Sequence, residues 1–281
     1  MVIPNPQHGE AKQGFAKSFW CRFFQKGAVL RSKKIIGMKF FETLGRYCIL
    51  MGKVFSRPEK WSIYYRRTIA ELDQLGVGSI ALTAIISIFI GAVITIQMAI
   101  TLDNPFIPQM MIGYATKETM ILEFSSTVIA IILAGKVGSN IASEIGTMRI
   151  TEQIDALEIM GVNSAAYLIL PKIVATMIFF PFLAAFSMIV GMFGGFLVAR
   201  MGVMLPSDYI DGLLYYFDSY EITYSLVKMT VFAFLITSIS GFYGYYAKGN
   251  SLEVGRASTT AVVVSSIMIM IFNLILTQLM R

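Results

Sequence analysis

One carboxylate stands in a stretch of sequence that is otherwise typical of a membrane-spanning helix. Glu123 lies in the long apolar stretch from about Thr119 to Ser143, where a carboxylate costs about 2.5–3.5 kcal/mol even on the most permissive insertion scale. It is therefore expected to face a cavity, a partner or water. Gln97, in the preceding apolar stretch, is a neutral polar candidate for the same cavity. A hydrogen bond between two helices would explain Gln97 equally well.

Two lysines also fall inside apolar stretches. Lys136 lies in the same stretch as Glu123, and Lys228 lies in a later one, from Ile222 to Ala247. Two explanations stay open for each: the ammonium group extends to the membrane surface, or it pairs with another side chain. The sequence names no partner for either lysine.

A row of three acidic residues provides a second candidate site. Glu152, Asp155 and Glu158 recur at a spacing of three within the segment from Arg149 to Gly161, while apolar residues follow another face of the predicted short helix. Gly161 is expected to end that helix. Two interpretations stay open: a solvated face of a loop, or a docking surface for a cytoplasmic partner whose movement is passed to the neighbouring spans.

The residue sets that enzymes and metal sites need are missing. The single histidine, His8, lies near the start of the sequence, so neither a histidine-based triad nor a multi-histidine metal site is available. Gly135-Lys136 is followed by valine and is not a phosphate-binding loop, and Gly76–Ala81 has the form Gly-x-Gly-x-x-Ala but opens a membrane span without a preceding strand. We expect no catalytic residue, metal or cofactor, and any ATP that drives the protein would be hydrolysed by another chain.

Membrane-spanning helices must position these residues. The chain is 56% hydrophobic and 14% charged, with a mean hydropathy of +0.68, whereas about a quarter of the residues of a soluble domain are charged. We predict an all-α integral membrane protein with five transmembrane helices preceded by interfacial amphipathic helices. The predicted spans one to five are Gly78–Ile100, about Thr119–Ser143, about Ile173–Ala199, Ile222–Ala247 and Ala257–Met280.

Residues 1–75 are predicted to form a basic helical segment at the cytoplasmic membrane surface, ahead of a five-span domain at 76–281. Residues 1–70 hold 14 lysines and arginines against three acidic residues, which favours contact with anionic lipid. Amphipathic helices are predicted at 12–27, at 35–55 and from Trp61 to Leu72, either on the membrane or packed on the protein. No nucleic-acid recognition motif accompanies the charge, so no nucleic-acid partner is expected.

The loop charges predict an orientation. The loop around Asp103 and Pro108 contains no lysine or arginine, and the loop from Arg200 to Glu221 contains four acidic residues against one arginine. By the positive-inside rule both loops lie outside the cytoplasm. The N-terminus and the segment between spans two and three are then cytoplasmic, and the C-terminus is periplasmic.

Small residues are predicted to pack helices together. Ala134, Gly138, Ala142 and Gly146 recur every four residues in span two, and Gly191 and Gly195 have the same spacing in span three. Such faces let helix backbones approach closely. We interpret both as packing faces with no part in chemistry.

Several motifs resemble the MlaE family of ABC-transporter permeases, the membrane subunits of lipid transporters that work with MCE-domain proteins. They are Ala134-Gly-Lys-Val-Gly-Ser139, Glu144-Ile-Gly-Thr-Met148, Thr151-Glu-Gln-Ile-Asp-Ala-Leu157, Gly161-Val162, Tyr167-Leu-Ile-Leu-Pro171 and Val254-Gly-Arg-Ala-Ser-Thr-Thr260. The last of these resembles the start of the family's final span. With the hydropathy pattern, the resemblance covers about residues 35–280.

The resemblance implies a homodimeric permease of the bacterial inner membrane with two copies of a separate cytoplasmic ABC ATPase and a periplasmic MCE-domain partner. The family's coupling helix, between spans two and three, falls here at about 144–161. The residues implied to couple to the ATPase are Glu144, Arg149, Glu152, Gln153, Asp155 and Glu158. The implied lipid site, between the two permease subunits, contains Glu123 and Gln97.

The sequence therefore predicts the permease subunit of an ATP-driven transporter that moves phospholipid, or a similar lipid, between the inner membrane and a periplasmic MCE partner. The alternative is a self-sufficient secondary transporter or channel that has no ATPase. Such a protein needs coupling charges within its spans and often has an inverted repeat. The sequence shows no convincing repeat and few charges in its spans.

Overall fold

The computed structural model describes residues 41–56, 61–104, 106–216 and 218–280. The amphipathic helix predicted at 12–27 lies outside these ranges. The chain divides into two units, residues 1–51 and residues 52–281. Residues 41–55 form helix α1, which confirms the helix predicted at 35–55 over its described part. In the first unit, Glu42 pairs with Arg46 one turn later at 2.5 Å.

Five long helices correspond to the five predicted spans, and each is long and apolar enough to cross a membrane. Throughout the described ranges the regular structure is helical, so the predicted all-α membrane fold is confirmed. Each helix continues beyond its apolar run, because a helix can extend past the hydrocarbon core into regions where polar side chains are solvated. Spans one to five are α2 (residues 61–101), α3 (Met110–Ile150), α5 (Ser164–Val203), α7 (Ser219–Tyr245) and α8 (Ser251–Met280).

Span one begins earlier than predicted. α2 runs without interruption through Trp61–Glu71, the π-helical stretch Leu72–Val77 and Gly78–Thr101. The amphipathic segment predicted as a separate helix from Trp61 is therefore the start of span one, and the predicted boundary between residues 75 and 76 lies within this helix. Gly76 does not end the helix; its Cα lies against the ring of Phe179 in span three, where a Cβ would collide.

Glycines bring span one into backbone contact with span three. A Cβ at Gly91 would collide with the backbone carbonyl of Gly191, and a Cβ at Gly194 would collide with the carbonyl of Ile88. Without those side chains the two helices approach more closely than larger residues would allow. The packing role predicted for the glycines of span three is thus confirmed.

The small-residue face of span two packs against spans four and five. A Cβ at Gly138 would lie too close to the Ser240 hydroxyl of span four, and one at Gly146 too close to the Val254 side chain near the start of span five. Ala142, between the two glycines, is fully buried. This face is a packing surface, as its spacing predicts.

The segment between spans two and three is a turn followed by a short helix, α4 (Gln153–Ile159). Span two ends at Ile150, and Glu152 adopts a left-handed conformation with a φ of 59°. The helix predicted to begin at Arg149 therefore begins at Gln153, because a left-handed residue interrupts right-handed helical hydrogen bonding.

Gly161 ends α4 as predicted. Its φ is 78°, its N–H donates to the Glu158 carbonyl at 3.0 Å, and the Val162 N–H donates to the Leu157 carbonyl at 3.1 Å. These two bonds form a Schellman motif, in which glycine avoids the strain of a left-handed residue. The Asn163 side chain then accepts a hydrogen bond from the Ala166 N–H and caps the start of span three.

The opposite end of the bundle is held by α6 (Pro206–Leu214). Tyr209 of α6 is fully buried, and its hydroxyl donates to the Met192 carbonyl of span three at 3.1 Å. Burial raises the pKa of Tyr209 to about 12. A Cβ at Gly195 would collide with this hydroxyl, so the second glycine of the span-three pair makes room for α6.

Candidate functional site

Glu123 is held by side chains of three spans. Its Oε1 lies 3.1 Å from the Nζ of Lys228 in span four. Its Oε2 accepts hydrogen bonds from the Thr127 hydroxyl in span two and from the Asn273 amide in span five, each at 3.2 Å. The carboxylate belongs to the π-helical stretch Met120–Val128 of span two, and its contacts join spans two, four and five at one depth.

Lys228 is the fully buried partner in this ion pair, with a side-chain exposure of 0%. Its Nζ also donates to the Leu122 carbonyl at 3.2 Å and to the Thr277 hydroxyl at 3.4 Å, and it lies 4.8 Å from the centre of the Tyr224 ring. A buried ammonium group needs such partners because its desolvation costs several kcal/mol. Lys228 therefore pairs with Glu123 and does not extend to the membrane surface.

A cleft of about 380 Å³ opens beside this ion pair. Glu123 faces it with a side chain that is 43% exposed. The lining residues combine carboxylates, phenols and a hydroxyl with apolar side chains: Leu122, Glu123, Tyr220, Glu221, Tyr224, Thr277 and Met280. Such a lining can hydrogen-bond a polar group and contact hydrocarbon at the same time, which is the requirement for binding an amphiphile.

The structure does not bring Gln97 to this cleft. Gln97 lies on an exposed face of span one, its backbone carbonyl accepts a hydrogen bond from the Thr101 hydroxyl at 2.8 Å, and its side chain is not part of the cleft lining. Sequence reasoning instead missed Asn273 and Thr277, which lie one turn apart in span five. Their only sequence signal is that both are polar residues in an uncharged span.

Glu144, the first residue of the predicted coupling segment, belongs to a three-residue ion cluster. Lys172 of span three lies 2.9 Å from Glu144 of span two and 2.7 Å from Glu71 of span one. The Lys172 side chain is 2% exposed, so its charge depends on these two carboxylates. One lysine thus joins three spans at the α4 end of the bundle, and sequence reasoning missed both Glu71 and the role of Lys172.

Further contacts clamp α4 to the ends of three spans. Arg149 at the end of span two pairs with Asp155 of α4 at 2.5 Å. The Oε1 of Glu158 accepts hydrogen bonds from the Ser164 hydroxyl of span three at 3.0 Å and from the Tyr245 hydroxyl of span four at 2.9 Å. The Tyr245 hydrogen bond is the main cause of a lowered pKa at Glu158. A displacement of α4 would therefore be transmitted to spans two, three and four.

The remaining surface of α4 is open to solvent. Glu152 and Gln153 are exposed, and beside them Ile159 and Met160 expose 87% and 67% of their surface. Two members of the predicted acidic row, Asp155 and Glu158, instead have partners within the chain. The open surface of α4 therefore presents acidic, amide and apolar groups together.

No metal-binding group is evident in the described ranges, since no three His, Cys, Asp or Glu side chains lie together in them. The site thus consists of two regions: the Glu123–Lys228 cleft within the spans, and the clamped α4 at one end of the bundle. Both are built from residues in different helices that only the folded bundle brings together.

Comparison with known proteins gives consistent matches over most of the sequence. The model of the family described as Permease MlaE matches residues 68–279. A protein of Rickettsia bellii described as a probable ABC transporter permease protein is 33% identical over 243 residues, which are 86% of this chain and 93% of the relative. The intermembrane phospholipid transport system permease protein MlaE of Haemophilus influenzae is 30% identical over 86% of this chain and 93% of its own length. The chloroplastic protein TRIGALACTOSYLDIACYLGLYCEROL 1 of Arabidopsis thaliana is 30% identical over 82% of this chain and 66% of its own length.

Proposed function

This chain belongs to the MlaE permease family, and on that premise we propose that it is the membrane subunit of an ATP-driven transporter that moves phospholipid. The phospholipid passes between the inner membrane and a periplasmic MCE-domain partner. The chain itself is a multi-pass membrane protein without a catalytic role, and ATP is hydrolysed by a separate cytoplasmic ATPase.

The observation that carries this proposal is the cleft beside Glu123 and Lys228. An ion pair with a fully buried lysine and a partly exposed carboxylate opens on a space whose walls are both polar and apolar, as the headgroup and acyl chains of a phospholipid require. The Haemophilus influenzae relative, whose name specifies phospholipid transport, matches over nearly its whole length. A phospholipid headgroup would bind near Glu123 with its chains against the apolar wall.

The ATPase is proposed to dock on the open surface of α4. Closure of the ATPase displaces α4, and the contacts of Arg149, Glu158 and Lys172 transmit that displacement to the spans. Spans two, three and four then shift relative to one another and change the cleft beside Glu123, which lies on span two. In this mechanism the predicted coupling residues act chiefly by fixing α4 to the bundle.

Two copies of the chain are proposed to assemble, with the clefts facing the space between them. Glu123 is partly exposed on a single copy, and an exposed carboxylate at membrane depth needs a polar or protein environment. The end that bears α4 is proposed to face the cytoplasm, where the ATPase is, because the basic residues of the sequence concentrate before position 70. The opposite end, with α6, then faces the periplasm and the MCE partner.

Reconstitution tests this function. The chain is purified with its ATPase and MCE partners, placed in vesicles that contain radiolabelled phospholipid, and transfer between vesicle and MCE partner is followed with and without ATP. We expect transfer only with ATP and with all three proteins. Transfer by the chain alone, unaffected by ATP, would instead establish the self-sufficient transporter or channel.

A further inference from the structure

A second cleft, with a different chemistry, lies nearer the α4 end of the bundle. Its volume is about 600 Å³, and it opens between spans one, two and five. Most of its lining is polar and uncharged, with one lysine and no carboxylate. The polar lining residues include Gln74, Ser79, Lys136, Asn140, Ser143 and Ser258.

The depth of this cleft follows from the uncharged runs of spans one and five. The Lys136 ammonium group donates to the carbonyl of Gly78, which is the fifth residue of the uncharged run that begins at Gln74 in span one. Ser258 is the second residue of the uncharged run in span five. Because such runs match the hydrocarbon core, the cleft lies where that core meets the lipid headgroups.

The exposed face of span two within the cleft is polar at helical spacing. Lys136, Asn140 and Ser143 follow one another at intervals of four and three residues, and all three are exposed. In the described part of the chain, the side chains of Asn140, Ser143 and Gln74 have no hydrogen-bond partner. Acyl chains offer no hydrogen bonds, so these donors need a polar group from beyond the described residues.

Among the described residues that line the cleft, Lys136 carries the only charge. Two nearby carboxylates, Glu71 and Glu144, are paired with Lys172, and Asp73, next to Gln74 in the sequence, forms no ion pair with Lys136 in the described residues. One ammonium group with amide and hydroxyl donors around it is suited to a phosphate oxygen. At this depth, the phosphate available in quantity is that of a phospholipid headgroup.

We propose that this cleft binds the phosphate of a phospholipid from the leaflet on the α4 side of the membrane. Given the proposed function, on which this inference rests, that leaflet is the cytoplasmic one. The site is separate from the Glu123 cleft, because Lys136 lies 13 residues further along span two, about 20 Å along the helix. The transporter then has one lipid-contact site near the membrane surface on the α4 side and a second one deeper within the spans.

Photo-cross-linking tests the site in the complete transporter complex. A photoreactive amino acid replaces Ser143, and the complex is placed in nanodiscs that contain phosphatidylglycerol with a radiolabelled phosphate. We expect labelling of the chain, and we expect Lys136→Gln to lower it about fivefold, since a charged hydrogen-bond donor is lost. Lys136→Arg keeps the charge and retains labelling. Lys248→Gln removes an exposed lysine from the turn before span five and serves as the matched control.

Three results would overturn the proposal. Equal labelling of the Lys136→Gln variant and the parent would show that the ammonium group does not bind the lipid. A cross-link to a second copy of the chain, with no lipid label, would show that the cleft is a subunit interface. Loss of the lipid label in excess inorganic phosphate would show that the cleft binds the free phosphate ion.

The cross-link needs neither ATP nor transfer, so the result is distinct from that of the functional test. Absent labelling in a complex that still transfers phospholipid with ATP rejects this site and keeps the proposed function. Labelling that depends on Lys136 in a complex that transfers no lipid keeps the site and rejects the function.

Discussion

At the scale of single residues, the Glu123–Lys228 pair joins two charges with unequal access to solvent. Lys228 is fully buried, whereas the Glu123 side chain is 43% exposed to the cleft. If the carboxylate is removed, the ammonium group stays buried without its counter-charge. If the ammonium group is removed, water in the cleft can still solvate the carboxylate. The two single substitutions are therefore unequal in their effect on stability.

We predict that Glu123→Gln destabilises the protein more than Lys228→Met does. Loss of the counter-charge of a buried lysine costs about 3–5 kcal/mol, while the methionine variant removes the buried charge and fills its space. Thermal unfolding in detergent measures both effects, and both variants are expected to lower phospholipid transfer. Equal stability of the two variants would show that Glu123 does not compensate the buried charge.

Glu158 gives a prediction about pH. Its pKa is lowered from 4.5, chiefly by the hydrogen bond from Tyr245, so its contribution to stability is complete above the ordinary value and is lost as the pH falls through the lowered value. Glu158→Gln should therefore lower the melting temperature at about pH 7, and the difference from the parent should shrink as the pH falls below the ordinary pKa of the carboxyl group. A difference between parent and variant that is constant over this range would contradict the assignment.

Sequence reasoning finds Glu123 and misses its partners for a physical reason. A carboxylate in an apolar run is conspicuous because of its desolvation cost, and no three-dimensional information is needed to notice it. Lys228 is 105 positions away, so only the packing of spans two and four reveals the pair. Gln97 looks equivalent to Glu123 by composition, but it lies on another face of the bundle.

At the scale of elements, the contact between spans one and three depends on glycine. We predict that Gly91→Ala destabilises the protein by about 1–3 kcal/mol, because the new Cβ meets the Gly191 backbone and the helices must separate. Gly135→Ala is the matched control, since a Cβ there meets nothing within 4 Å. It should be neutral or stabilise by up to about 1 kcal/mol through its higher helix propensity. Thermal unfolding measures the change in stability of both variants. Equal changes in Gly91→Ala and Gly135→Ala would contradict the role of Gly91 in packing.

The open surface of α4 gives a prediction about assembly. Replacing Ile159 and Met160 together by serine removes exposed apolar surface without touching the clamp formed by Arg149, Asp155 and Glu158. We expect less ATPase to co-purify with the double variant, while its melting temperature stays unchanged. Full recovery of the ATPase would place the docking surface elsewhere. Leu252→Ser, at an exposed position near the start of span five, is the control.

The positions of the helices are predicted well from the sequence, but the residues at which they begin and end are not. Long apolar runs with few or no charges identify all five spans because hydrocarbon excludes charge, but they do not show how far a helix continues beyond the core. The start of α4 is missed because Glu152 is left-handed, a conformation that its residue type does not indicate. Gly161 is found because glycine favours a left-handed helix end.

At the scale of the whole molecule, Lys172 connects the coupling segment to spans one and three. We predict that Lys172→Met uncouples the transporter: the complex still hydrolyses ATP, but the phospholipid moved per ATP falls about fivefold or more. Parallel assays of phosphate release and lipid transfer give this ratio. The exposed Lys248→Met variant should leave the ratio unchanged. A normal ratio in the Lys172 variant would exclude transmission through this cluster.

The two π-helical stretches of span two, Met120–Val128 and Ala134–Gly138, contain Glu123 and Lys136 respectively. A π turn holds one residue more than an α turn, so each stretch rotates the following helix by about 100° relative to an uninterrupted α-helix. The direction that each half of span two faces is thus set independently of the other. Gain or loss of one residue in either stretch could redirect one polar site while the other keeps its orientation, which gives the two ends of the bundle separate routes for divergence.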